Sequence, residues 1–241
     1  MSTLGKALFL LRNNATCGVI AKYVTASCGR VFRKKKDADH VEALRKFARD
    51  NGFKQDWFTA NVPYWLGIFQ EQGLTERPIR ALEIGSFEGL SACFILQQLP
   101  QAELTCVDTW DGSDEHAGLA FDSIEKAFDR HVAPWQNRVT KKKTTSLRYL
   151  ANLEGGEKFD FIYVDGSHHA DDVMVDAVLC FERLKVGGVM ILDDYLWRYY
   201  PRGAEDPARA INSFLRLCEG RHELIMAYRQ VAIVKTAERS T

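Results

Sequence analysis

The chain has 241 residues, 46% of them apolar, with 32 Lys and Arg against 32 Asp and Glu. That length suits one large domain or two small ones, and the apolar fraction excludes general disorder. No uninterrupted apolar run approaches the roughly 18–20 residues of a membrane span.

The zero net charge hides an asymmetry. Residues 1–36 hold Lys6, Arg12, Lys22, Arg30, Arg33, Lys34, Lys35 and Lys36 and no acid, which leaves 24 bases against 32 acids in the remainder. A basic arm therefore precedes an acidic body, and a body of net charge −8 without a basic groove argues against nucleic acid as a partner. The six cysteines lie far apart with no CxxC pair, and Cys93, Cys106 and Cys180 sit in apolar runs. They are read as reduced core residues of a cytoplasmic protein, not as a disulfide frame or a zinc site.

Residues 4–32 are apolar with scattered bases and end in RKKK at 33–36. Three readings stay open. One is a helical arm packed on the body or on a second subunit of a homo-oligomer. Another is a basic amphipathic segment lying peripherally on a membrane. The third is an acid-free transit peptide. The packed arm is favoured. Val41, Leu44, Phe47 and Ala48 are spaced for one face of a helix over 39–51, which Gly52 stops. A second helix is predicted over 62–72, with Asn61 as cap, Pro63 in the first turn and Gly73 at its end. The aromatic stretch 57–69 suits a lid or a core equally. A basic helical arm over 1–52 and a single domain over 53–241 follow from this division.

From residue 79 the pattern becomes regular. Strand-like runs fall at 79–84, 103–108, 138–143, 159–165 and 188–194, separated by helix-like stretches near 89–98, 119–132, 146–153, 170–184 and 204–219. Such alternation implies an α/β fold, a doubly wound, mostly parallel sheet with helices on both faces. Two consecutive runs at 223–229 and 230–236 form a hairpin, so the seventh and last strand is antiparallel.

Ligands of open parallel sheets bind beyond the carboxyl ends of the strands. Here those ends carry Glu83, Asp108, Asp165, Asp193 and Asp194. Turns favour Asp, so each acid alone has a structural explanation, but five of them at strand ends suggest one crevice. The turn EIGSFEGLS holds Gly85 and Gly89 at the start of a helix, which offers free N–H groups. The dinucleotide fingerprint G-x-G-x-x-G is broken by Ser86 and Phe87, and Glu83 and Glu88 would bring negative charge near a diphosphate. Acid lining suits a ligand with a cationic centre, an ammonium group and ribose hydroxyls, which S-adenosylmethionine combines. Asp108, 19 residues past Gly89, is placed to accept ribose hydroxyls.

ALEIGSFEGLS, CVDTWDGSDEH, FDFIYVDGSHHADDVMVDA and LKVGGVMILDDY together resemble the class I S-adenosylmethionine-dependent methyltransferases. More narrowly they resemble the methyltransferase family 24 branch, which is similar to metal-dependent O-methyltransferases of sugars and natural products. The resemblance covers about residues 55–236 and implies the Rossmann-like methyltransferase fold. It implies cofactor contacts by Glu83, Gly85, Ser86 and Gly89, by Asp108 on the ribose, and by Thr109 and Trp110 on the adenine side. Thr145 and Ser146 would touch the adenine edge, where the family often has an acid and this chain has none.

The resemblance also implies that Asp165, Asp193 and Asp194 hold a divalent metal, and hard oxygen donors suit Mg²⁺. Such a metal would bind and acidify an acceptor hydroxyl. His168, in DGSHH, is then the candidate general base, acting beside Asp165, with His169 as substitute. Tyr195, Trp197, Tyr199 and Tyr200 offer stacking faces, and Arg198 and Arg202 offer forks for anions. His116, in the polar loop 111–118, is a further candidate. The expected activity is transfer of a methyl group to a hydroxyl of a saccharide or glycosylated natural product, with a small catechol-like phenol as the second choice of acceptor. Its rivals are a metal-independent methyltransferase, an NAD-dependent oxidoreductase and a non-catalytic cofactor-binding protein.

Overall fold

The structure, a computed structural model, describes residues 3–112 and 121–240. The candidate His116 and the first two residues of the helix expected at 119 lie outside them. In chain order the elements are α1 (Thr3–Arg12), α2 (Cys17–Lys36), α3 (Ala38–Asp50), α4 (Val62–Glu71), β1 (Ile79–Ile84), α5 (Leu90–Gln98), β2 (Ala102–Asp108), α6 (Phe121–Val132) and β3 (Val139–Lys143). They continue with α7 (Ser146–Ala151), β4 (Phe159–Val164), α8 (Ala170–Arg183), β5 (Leu184–Leu192), α9 (Pro207–Leu217), β6 (His222–Ala227) and β7 (Val231–Lys235). The strands make a seven-stranded sheet in the order β3-β2-β1-β4-β5-β7-β6. β1 and β2, β2 and β3, and β4 and β5 pair in parallel, whereas β7 runs antiparallel to both β5 and β6. The expected mostly parallel sheet with an antiparallel C-terminal strand is what forms.

Two compact units divide the chain: residues 31–145, and residues 1–30 with 146–241. In the first, Ile79, Ala81, Leu82 and Ile84 of β1 and the near-continuous apolar run of α5 are buried. A strand covered on both faces loses its alternation, and β1 buries every residue but Arg80, Glu83 included. Trp65 of α4 is fully buried, edge-on to Phe58 at 4.8 Å, and Phe94 of α5 lies 5.2 Å from Phe58. The stretch 57–69 is therefore core, with Trp57 its one strongly exposed aromatic. Asn61 does not cap α4 with its side chain; a 3₁₀ turn over Thr59–Asn61 leads in instead.

In the second unit, β4 is buried along its whole length. β5 starts at Leu184, four residues before the expected position. The expected strand begins at Gly188, whose backbone passes close to its neighbours. A Cβ there would lie 2.9 Å from the Lys185 carbonyl and 3.1 Å from that of Asp160, so only glycine fits. The basic segment forms two helices broken at Asn13–Asn14, with Asn14 at φ +65°. α1 buries Phe9 and Leu10, and α2 buries Val19, Tyr23 and Ala26. Polar ties accompany this packing. Asn212 Nδ2 donates to the Asn13 carbonyl (2.8 Å), Arg216 donates to the Asn14 carbonyl (3.1 Å), and Tyr23 stacks on Tyr228 (6.1 Å).

Candidate functional site

The turn after β1 is organised by the acid that ends β2. Asp108 Oδ2 accepts the backbone N–H groups of Ser86 and Phe87, both at 2.8 Å, and Oδ1 accepts that of Trp110 at 2.7 Å. A carboxylate taking three amide hydrogen bonds fixes a loop that would otherwise have no repeating structure. Gly85 and Gly89 sit at φ +82° and +86°. At Gly89 a Cβ would also lie 2.9 Å from Cδ2 of Phe128 on α6, so the position needs glycine for conformation and for space. Phe87 takes φ +46° without being glycine, held by the amide bond to Asp108 and by its carbonyl, which accepts the Trp110 indole N–H at 2.9 Å. Strain of this kind concentrates at ligand-binding loops.

Each expected cofactor residue of this unit has a defined place. Ser86 Oγ donates to the buried Glu83 carboxylate at 2.5 Å. Thr109 Oγ1 accepts the Asp111 amide at 3.2 Å. Trp110 is buried against Phe128 (4.9 Å) with the Lys141 ammonium 4.6 Å over its ring. Glu88 does not face a ligand as expected: its Oε2 accepts the amides of Lys54 (2.8 Å) and Gln55 (3.3 Å), tying down the chain before α4. His131 does the same from α6. Its Nδ1 lies 2.8 Å from the Glu88 carbonyl and its Nε2 3.1 Å from that of Asn51, while its ring stacks on Phe53 at 3.6 Å. Sequence reasoning missed His131, although it falls at helical spacing from the buried Ile124 and Phe128. Ser146, expected at the adenine edge, lies in the other unit, where its side chain hydrogen-bonds the buried Asp176 of α8.

The second unit gathers the remaining acids past the ends of β4 and β5. Asp165, His168 and Asp194 each offer one ligand atom, and these atoms lie within 4.8 Å of one another. His168 Nε2 is 2.7 Å from Asp194 Oδ2 and 3.9 Å from Asp165 Oδ1. Asp194 reaches this position with φ +54°, a conformation Asp tolerates better than most residues. A pocket lined by Asp165, Gly166, Ser167, His168, Asp193 and Asp194 opens there over an apolar floor of Val164, Val173 and Leu192.

Asp193, expected as a metal ligand, is engaged differently. Its Oδ2 accepts from Gln230 Nε2 at 2.6 Å and from the Tyr163 hydroxyl, and its Oδ1 accepts the Asp194 amide at 2.6 Å. The Tyr163 hydroxyl also lies 2.8 Å from Asp165 Oδ2, linking the two carboxylates. Asp165, His168 and Asp194 thus come together, with Asp193 held behind them by protein donors.

Burial and crowding set the protonation of this cluster. Burial, then the charges of Asp165 and Asp194, push Asp193 well above the usual carboxylate range. Burial likewise raises Asp165, offset in part by its bond to His168. For His168 burial acts downward, but hydrogen bonds to Asp165 and Asp194 and their charges override it and push the imidazole up to about 11. The two acids therefore favour the imidazolium form of His168. A divalent cation fits this donor set, since carboxylate oxygens suit a hard ion and its charge relieves the repulsion.

Aromatic rings stand beside the cluster. Trp197 lies 4.9 Å from His168, Tyr200 stacks on His169 at 4.1 Å, and Tyr199 stacks on Trp197 at 5.3 Å. The two arginines expected as anion forks are engaged: Arg202 pairs with Glu205 at 2.9 Å, and Arg198 lies 5.0 Å over the Phe9 ring.

Residues 82–195, just under half of the chain, match a family model described as a methyltransferase domain. O-methyltransferase hkm8 of Aspergillus hancockii is 33% identical over 141 residues, covering 56% of this chain and 50% of that protein. MycE, a methyltransferase of the mycinamycin biosynthetic pathway solved with Mg, S-adenosylhomocysteine and mycinamycin VI, superposes with a TM-score of 0.58 at 16% identity, over 80% of this chain and 54% of its own. TomG, an O-methyltransferase of Streptomyces achromogenes involved in tomaymycin synthesis and solved with S-adenosylmethionine, gives 0.55 at 16% identity, over 82% and 89%. PaMTH1 of Podospora anserina, solved with S-adenosylhomocysteine, gives 0.57 at 16%, over 89% and 96%. The chain thus spans about half the length of the curated relative and of MycE. Residues 82–195 match a methyltransferase-domain model, and the fold around them is similar to that of these methyltransferases.

Proposed function

We propose that the chain is an S-adenosylmethionine-dependent O-methyltransferase, assisted by Mg²⁺ and acting on a hydroxyl of a saccharide or glycosylated natural product. The observation that carries the reading is the methyltransferase-domain match over residues 82–195, the stretch that supplies both the Asp108-braced glycine turn and the Asp165–His168–Asp194 cluster. The cofactor supplies an electrophilic methyl group. Glu83, Ser86 and the turn held by Asp108 would seat its amino-acid and ribose parts, with Trp110 on the adenine side.

Asp165 and Asp194 would hold the cation, which would acidify and orient the acceptor hydroxyl when bound. Tyr163 and Gln230 keep Asp193 in place behind them. His168, next to these carboxylates, would take the acceptor proton in its neutral form. Holding the acceptor oxygen in line with the methyl carbon supplies much of the rate. Trp197, Tyr199 and Tyr200 give flat apolar faces of the kind that stack on sugar rings, which supports the saccharide over a simple alcohol. The MycE complex with Mg and mycinamycin VI supports the metal-assisted reading.

Calorimetry with S-adenosylhomocysteine, with and without Mg²⁺, tests the cofactor reading, and heat is expected in both. Labelled methyl transfer to a panel of glycosides and catechols, with and without EDTA, tests the rest. Transfer that survives EDTA, together with unchanged rates in Asp194→Asn, would replace the metal-assisted reading with a metal-independent one.

A further inference from the structure

The basic arm takes no part in the chemistry proposed above, and its two faces differ in an unusual way. One face of α1 is used: Phe9 and Leu10 are buried in the unit that α1 belongs to. On the other, Leu4, Leu8 and Leu11 are 72%, 48% and 50% exposed. Their spacing of four and three residues places them in one stripe along the helix. On α2, Val24, Val31 and Phe32 are exposed as well, the last two at 73%. The arm thus holds six of the thirteen large apolar side chains exposed among the described residues, although it is less than a sixth of the chain.

A helix already docked by one apolar face has no folding reason to carry a second, exposed one. Charge narrows what covers it. The first 36 residues contain eight bases and no acid, and Arg12, Lys22, Lys35 and Lys36 are exposed beside the apolar residues. The combination of apolar side chains and cations without anions is complementary to an anionic lipid surface, where acyl chains take up the former and headgroups the latter. Among the described residues no helix is long and apolar enough to cross a membrane, so the contact is with the surface.

We infer that α1 and α2 form a docking surface for an anionic lipid bilayer, with the Leu4–Leu8–Leu11 stripe inserted at the headgroup boundary. Because the opposite face of α1 is fixed to the protein, docking would need no unfolding.

The test is flotation of the full-length protein with vesicles of phosphatidylcholine alone and of phosphatidylcholine mixed with phosphatidylserine. Binding is expected to the mixed vesicles only and to weaken as salt is raised. Leu4→Glu with Leu8→Glu should lower the bound fraction about tenfold or more at an unchanged melting temperature. Lys35→Glu with Lys36→Glu, which leaves the stripe intact, should also weaken it. Wild-type protein that stays with the soluble fraction on mixed vesicles would overturn the inference. So would a self-associated species in size-exclusion chromatography that the double Leu variant dissociates, if no vesicle binding accompanies it.

Discussion

Asp176 of α8 is 3% exposed, and burial, offset by its bond to Ser146 and reinforced by the Asp172 charge, raises its carboxyl from an ordinary 3.8 to about 6. The folded protein therefore holds this proton over a pH range in which the unfolded chain has already lost it. Between about pH 4 and 6 the native state binds more protons than the unfolded one, so this group makes stability fall as pH rises. A shift of about two units at about 1.4 kcal/mol each amounts to about 3 kcal/mol, present in full above pH 6 and absent below pH 4. Asp176→Asn keeps an acceptor for Ser146 and removes the charge. It should melt higher than wild type by about 6–12 °C at pH 7.5 and at nearly the same temperature at pH 4. Differential scanning calorimetry across that range measures the difference, in which the contributions of Asp165 and Asp193 cancel. A variant less stable than wild type at pH 7.5, or a difference that does not change with pH, would refute the reasoning.

Gly89→Ala should lose about 2–4 kcal/mol from left-handed backbone strain and the contact with Phe128, read as a lower melting temperature. S-adenosylhomocysteine affinity should fall with it. Asp108→Asn leaves one acceptor oxygen for three amides, so loop order and S-adenosylhomocysteine affinity should drop, the latter by tenfold or more in calorimetry. Asn212→Leu strands the Tyr195 hydroxyl, which donates to Asn212 Oδ1 at 2.6 Å, and the Asn13 carbonyl. A loss of about 2–4 kcal/mol in chemical denaturation is expected.

The strands were legible because buried β-strands read as short apolar runs between turn residues, and five of the acids at their ends could be located from that alone. Direction was not legible. Asp193 and Asp194 are neighbours in sequence, yet a positive φ at Asp194 turns one toward His168 while Tyr163 and Gln230 hold the other. Gln230 lies 37 residues away in the chain, so no local pattern announces it. Glu88 was misplaced for a similar reason: its partners, the amides of residues 54 and 55, belong to a segment with no periodicity of its own. The start of β5 was hidden by Gly187, which takes φ +79° inside the strand.

The order of the last strands bears on biosynthesis. β6 precedes β7 in the chain, yet β7 lies between it and β5. Until residue 235 has emerged from the ribosome, β5 presents an unpaired edge of buried apolar residues from Val189 to Leu192. Gln230, which steadies Asp193, arrives only with that same segment. A nascent chain stalled before it would expose a strand edge prone to intermolecular pairing. Completion of this side of the sheet and support of its acid cluster therefore come together during synthesis.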